Sequence, residues 1–226
     1  MLAGVVAGLL VFVCARLIGE PQVERAIAFE QAMDHRNGGG PEAEMVSRHV
    51  QRTIGLLAGT LTYGTAMGGL FGLVFALVSG RIDITSPQTL SAVLAALGFL
   101  SVGLVPALKY PANPPAVGNP DTIGIRTASY FLLIACSVAA LVFALQMGSR
   151  IALRWHNSNR WVLASIFYLA VLTFLLHFLP EIDEVPAGFP ATLLWKFRVA
   201  ALEIQLVLWA TIGFLFGLFT KQNLPA

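Results

Sequence analysis

Charge is scarce in this sequence. Only 12% of its 226 residues are Asp, Glu, Lys or Arg, against roughly 25% in soluble domains. Hydrophobic residues reach 57% and mean hydropathy is +0.76. That balance leaves too little polar surface to cover a water-soluble globule and points to one integral membrane domain, residues 1–226, with the lipid bilayer as its main surroundings. Cysteine is scarce too. Cys14 and Cys136 both lie inside apolar runs, which suits small buried side chains and argues against a disulfide or a thiolate metal site. No P-loop, HExxH, CxxC pair or nucleophile elbow occurs, so an enzyme is not expected. Nor is a tightly bound cofactor or a nucleic-acid partner.

What is abundant is apolar runs of spanning length. A membrane helix needs about 20 mostly apolar residues, and six segments qualify: 2–18, 54–79, 90–108, 127–147, 161–179 and 199–219. The fold class expected is therefore an all-α polytopic membrane protein with six spans. The first run is short enough to be weighed as a signal peptide. It lacks a basic lead and an A-x-A cleavage site, and Gly4 and Gly8 have the GxxxG spacing of a helix-packing face. It is kept as a span.

Six spans put both termini on one side. There, Arg81, Arg150, Arg154, Arg160 and Lys221 face the single acid Asp83, whereas the opposite loops hold eight Lys/Arg against ten Asp/Glu. Positive charge favours the cytoplasmic side, so both termini are expected in the cytoplasm of a bacterium, with the chain in its inner membrane. Gly55, Gly59, Gly64, Gly68 and Gly72 in the second run, with Gly213 and Gly217 in the sixth, predict close helix crossings. Gly68-Gly-Leu-Phe-Gly-Leu73 also resembles Gly213-Phe-Leu-Phe-Gly-Leu218. The two readings of that likeness are a weak internal repeat and convergent glycine packing.

The three outward loops share a plan: a helix ends, proline enters, and a basic residue precedes the next helix. Loop 19–53 reads as an amphipathic surface helix over 21–36, a break at GGGP, and a lead-in helix to the second span. Loop 109–126 is KYPANPPAVGNP and its sequel, with Pro111, Asn113, Pro114 and Pro115. Loop 180–198 carries Pro186 and Pro190. Proline fixes φ and adds no N–H, so the last two loops read as stiff, shaped covers over the outer ends of the helices. The simpler alternative, helix stopping, does not account for the run from Asn113 to Pro120.

Polar groups suited to a cation gather on this face: Asp34, His35, Glu44 and His49 in the first loop, and Glu181, Asp183 and Glu184 in the third, with His177 just inside the fifth span. Imidazole and carboxylate suit borderline divalent metals. A solvated acidic surface and a transient metal-capture site both remain open readings. Glu203 sits about four residues into the sixth span, where a lone carboxylate is costly. An ion pair with Arg16 is the first expectation for it, and an ion path with Gln205 the second.

Together, GEPQVERAIAFE, VSRHVQR, LKYPANPPAVGNPDTIGIRT and EIDEVPAGFPATLLWKFR resemble the CbtA family of predicted cobalt transporter subunits, across essentially the whole chain. The resemblance implies uptake of Co2+ linked to cobalamin supply, beside a small single-span partner, CbtB, with a histidine-bearing segment. It also implies only transient Co2+, at the first-loop and third-loop residues. The sequence departs from the family in its first loop, where Asp34-His35-Arg36-Asn37 replaces a His-x-His cluster. The competing class is a non-transporting accessory subunit of a larger membrane complex.

Overall fold

The computed structural model describes residues 1–36, 38, 46–81, 84, 86–151 and 157–223. Among them every regular element is a helix. Six are long and apolar enough to cross a membrane: α1 (Leu2–Arg36), α2 (Arg48–Val78), α3 (Pro87–Lys109), α4 (Pro120–Arg150), α5 (Trp161–Phe178) and α6 (Ala191–Lys221). Each contains one of the expected spans or coincides closely with it.

The helix expected over 21–36 exists, but no break separates it from the first span. At 1.5 Å per residue α1 is about 52 Å long, well beyond the ~30 Å hydrocarbon core. Pro21 should interrupt such a helix, because it has no N–H and its ring crowds the carbonyl four residues back. Just before it, Ala15–Gly19 winds as a π-turn. This wider turn accommodates the ring without ending the helix. The same device recurs in α3, where the π segment Phe99–Leu104 runs up to Val105-Pro106.

The chain forms two compact units. The first comprises Met1–Phe99, Ala112–Val117 and Val185–Ala226, and the second Leu100–Pro111 and Gly118–Glu184. The boundary in α3 therefore falls at the start of its π segment.

In the first unit α1 crosses α2 closely where glycines of the two helices meet. A Cβ added to Gly64 would lie 2.6 Å from the Gly4 carbonyl oxygen, and one on Gly68 would lie 2.6 Å from the Gly4 Cα. Backbone meets backbone there, as GxxxG spacing on both helices predicts. α3 packs on α6 by a related logic. A Cβ on Gly217 would lie 3.0 Å from the Gln88 Cα, and the buried Ser91 hydroxyl donates to the Gly213 carbonyl at 2.7 Å. Phe71 and Phe216, equivalent positions in the two similar six-residue stretches, meet edge-on with centroids 5.2 Å apart.

The second unit is packed by side chains. Leu133, Ala140 and Ala144 of α4 bury against Ala164, Tyr168 and Leu172 of α5, with Val105 and Tyr110 from the end of α3. Ser137 and Tyr168 share a buried hydrogen bond of 2.9 Å, and the Tyr110 hydroxyl donates to the Pro180 carbonyl at 2.8 Å.

Candidate functional site at the outer loops

In the first unit, both proline loops end in the same kind of turn. In Pro114-Pro-Ala-Val117 the Val117 N–H donates to the Pro114 carbonyl at 3.2 Å, with Ala116 at φ 66°. In Pro186-Ala-Gly-Phe189 the Phe189 N–H donates to the Pro186 carbonyl at 3.1 Å, with Gly188 at φ 85°. The left-handed third position is the one that β-turns of type II require. Each turn then delivers one apolar residue, Val117 or Phe189, into a single buried cluster with Ala26 of α1 and Leu193 of α6. Phe29 meets Phe189 edge-on at 5.0 Å, and Arg198 donates to the Asn113 Oδ1 at 3.2 Å. Pro190 accepts from the Leu193 and Leu194 N–H groups and so opens α6. Stiffness in the Pro114–Val117 turn suits this packing, because a rigid turn loses little entropy when it docks.

In the second unit, Glu184 organises the rest of the same loop. Its carboxylate accepts from the Asn119 N–H at 2.9 Å, from Arg126 Nη1 at 2.7 Å and from the Thr122 hydroxyl. Asn119 also caps its own turn through the Asp121 N–H at 3.0 Å. The Thr122 hydroxyl above all, then the Asn119 N–H and the Arg126 guanidinium, hold the Glu184 carboxyl below the ordinary glutamate range. Lys109 Nζ stands 3.8 Å from Glu181, whose side chain is 91% exposed.

The first loop's acids are also engaged. Glu20, buried, pairs with Arg48, and Glu24 pairs with Arg52 at 2.7 Å. These pairs tie the outer continuation of α1 to the start of α2. In the four ion pairs found among the described residues the cation lies in the first turns of a helix or, for Lys109, at the end of one. The basic residues in the loop plan were the sequence signal for this arrangement, and their partners lie 28 to 72 residues away.

The expected metal donors are not gathered. Asp34 and His35 are exposed at the end of α1, His49 is exposed at the start of α2, and Glu44 lies outside the described residues. Asp183 is exposed and makes a contact of its own. His177 is exposed, edge-on to Phe178 at 5.3 Å. Among the described residues no three His, Cys, Asp or Glu side chains come together as a metal site. Glu184, with three donors on two oxygens, has little capacity left for a cation.

Glu203 also departs from expectation. Among the described residues, neither it nor Arg16 takes part in an ion pair. Arg16 is half-buried, and Glu203 is exposed on the outward stripe of α6 that continues through Leu206, Ala210 and Phe214. Gln205 lies on a different face, with its Oε1 buried and without a partner.

No curated protein and no solved structure matches the chain. One family model does, over residues 1–221, and its description is "Probable cobalt transporter subunit (CbtA)". Matched over nearly its whole length, the chain belongs to the CbtA family, a family of probable cobalt transporter subunits.

Proposed function

We propose that the chain is the membrane-embedded subunit of a Co2+ uptake system that supplies cobalamin synthesis, working with a small single-span, histidine-bearing partner in the bacterial inner membrane. The family match over residues 1–221 carries this reading. Both termini face the cytoplasm, on the strength of the basic bias of Arg81, Arg150, Arg154, Arg160 and Lys221. Co2+ is cargo, met at the outer face by side chains that stay accessible: Asp34, His35 and His49 at the α1 and α2 ends, with Glu181 and Asp183 in the third loop. Exposed imidazole and carboxylate attract a divalent ion without holding it tightly. Glu184, Glu20 and Glu24 act instead as fasteners of the outer face.

The test is radioactive cobalt uptake into cells lacking their own cobalt transporters, with the chain expressed alone or with its partner. Uptake is expected only with both. Replacing Asp34, His35, His49 and Glu181 together, with Glu184 left intact, should lower it by roughly tenfold. No uptake in any combination, with the chain folded in the membrane, sinks the transport reading.

One observation favours the second reading, an accessory subunit through which no ion passes. The carboxylate of Glu203 faces outward from α6, and three of the acids of this face, Glu20, Glu24 and Glu184, are tied up in ion pairs. Normal uptake through other chains when the accessible donors are replaced, but not when the whole chain is deleted, would select it.

A further inference from the structure

α3 and α6 leave between them, on the outward side of the first unit, a groove of about 510 Å³ whose walls are mostly small or flat: Ala92, Ala96, Ala210, Gly213 and the Trp209 ring. Alanine and glycine at helical spacing let another backbone come close, which is how helices associate in lipid. Small residues alone do not show an occupant, but a charge at the end of the same wall points to one. One turn beyond Leu206, which lines the groove, stands Glu203, exposed and, among the described residues, without an ion-pair partner. It lies about 6 Å inside the apolar run that starts at Val199. A carboxylate facing lipid at that depth is unfavourable, and such groups face protein or water and find partners.

We propose that this groove receives a transmembrane helix of a partner chain, with small residues against Ala92, Ala96 and Ala210 and one cationic side chain level with Glu203. Charge complementarity sets the partner's chemistry: an anion on this wall calls for a lysine, arginine or protonated histidine on the other. From within its apolar runs a second copy of this chain could offer Arg16, half-buried on α1 and off the groove, or His177 of α5, and it is kept as an outcome of the test. The inference rests on the subunit reading above for the existence of a partner. Its test reads association without cobalt, so failure of transport and failure of docking show in different measurements.

The probe is a synthetic Ala/Leu transmembrane helix with interfacial Trp anchors, carrying Lys, Leu or Glu at the level of Glu203. Energy transfer to the dye-labelled full chain in nanodiscs measures association. The Lys helix is expected to bind about tenfold more tightly than the Leu helix, and the Glu helix no better than Leu. Glu203→Gln should reduce Lys binding to the Leu level. Ala210→Leu, which fills the groove, should weaken all three while leaving the chain's thermal midpoint unchanged. Equal binding of the Lys and Leu helices, or a Lys preference that survives Glu203→Gln, overturns the proposal. Energy transfer between copies of the chain that Ala210→Leu abolishes overturns it in favour of a second copy.

Discussion

The outer loops and the outward stripe of α6 treat carboxylates in opposite ways. In the loops, Glu184 accepts from three donors and Glu20 is buried against Arg48. On α6, Glu203 has no ion-pair partner among the described residues. Water lies close to the first region, yet the protein satisfies those acids internally. Lipid surrounds the second, and there the protein leaves an acid bare. An acid held by the chain's own donors is part of the fold, and one left bare within the bilayer awaits something outside it. The contrast separates structural acids from interaction acids better than depth alone.

The largest expected effect comes from breaking a pair on the satisfied side. Arg48→Ala leaves the Glu20 carboxylate buried without its cation, which should destabilise the chain by about 2–4 kcal/mol in denaturant unfolding in detergent. Glu24→Ala breaks the more exposed pair with Arg52 and should cost only about 0.2–1 kcal/mol. Similar losses from the two would mean that burial does not distinguish them.

Glu184→Gln keeps an acceptor for Thr122 and Asn119 but loses the charge facing Arg126, so its cost should be smaller than that of Arg48→Ala. Its pH dependence is the sharper test. Because the folded carboxyl titrates below its ordinary value, its contribution is full above the ordinary glutamate pKa, about 4.3, and drains away as pH falls below it. Thermal midpoints of wild type and Glu184→Gln should therefore differ at pH 7 and converge towards pH 3. A gap that stays constant with pH would show that the carboxylate's charge does not fasten the loop.

Much of this was legible in the sequence. Gly4 and Gly8 announced a packing face on α1, and the glycines of the second span a close crossing there, but the spacing did not say that the two faces meet each other. The prolines at 114, 115 and 186 announced fixed turns. Pairings between distant loops were not legible: nothing in the spacing says that Glu184 finds Arg126 and not a metal. The continuity of α1 through Pro21 was hidden because a π-turn has no sequence signature as clear as the proline it accommodates. Arg16 and Glu203 were matched by depth, but depth along a helix fixes only one coordinate. Leu206, Ala210 and Phe214 share a face with Glu203, and only the packing of α6 reveals that this face points outward.

The two proline turns sharpen the comparison from the backbone side. Gly188 has open space around it, so Gly188→Ala adds no clash and tests only the cost of a left-handed alanine. About 1 kcal/mol of destabilisation is expected. Ala116 already bears that cost in the other turn, and Ala116→Gly should return somewhat less, since it gives up the methyl that packs on the Val117–Phe189 cluster and frees the unfolded chain. Unfolding of the two single variants and the double variant would show whether the turns dock independently.

Glu203→Leu should give the smallest change and the only one of opposite sign among the acids. With the chain alone in detergent or lipid, no hydrogen bond or ion pair among the described residues is lost and a lipid-facing charge is removed, so stability should stay level or rise by about 0.5–1 kcal/mol. A clear loss would mean that Glu203 has an intramolecular role after all, with Arg16 its nearest candidate cation, and the distinction between satisfied and waiting carboxylates would fall. Unchanged or higher stability, together with loss of the lysine-helix preference, would show that the chain leaves this carboxylate unpaired because its partner lies on another helix.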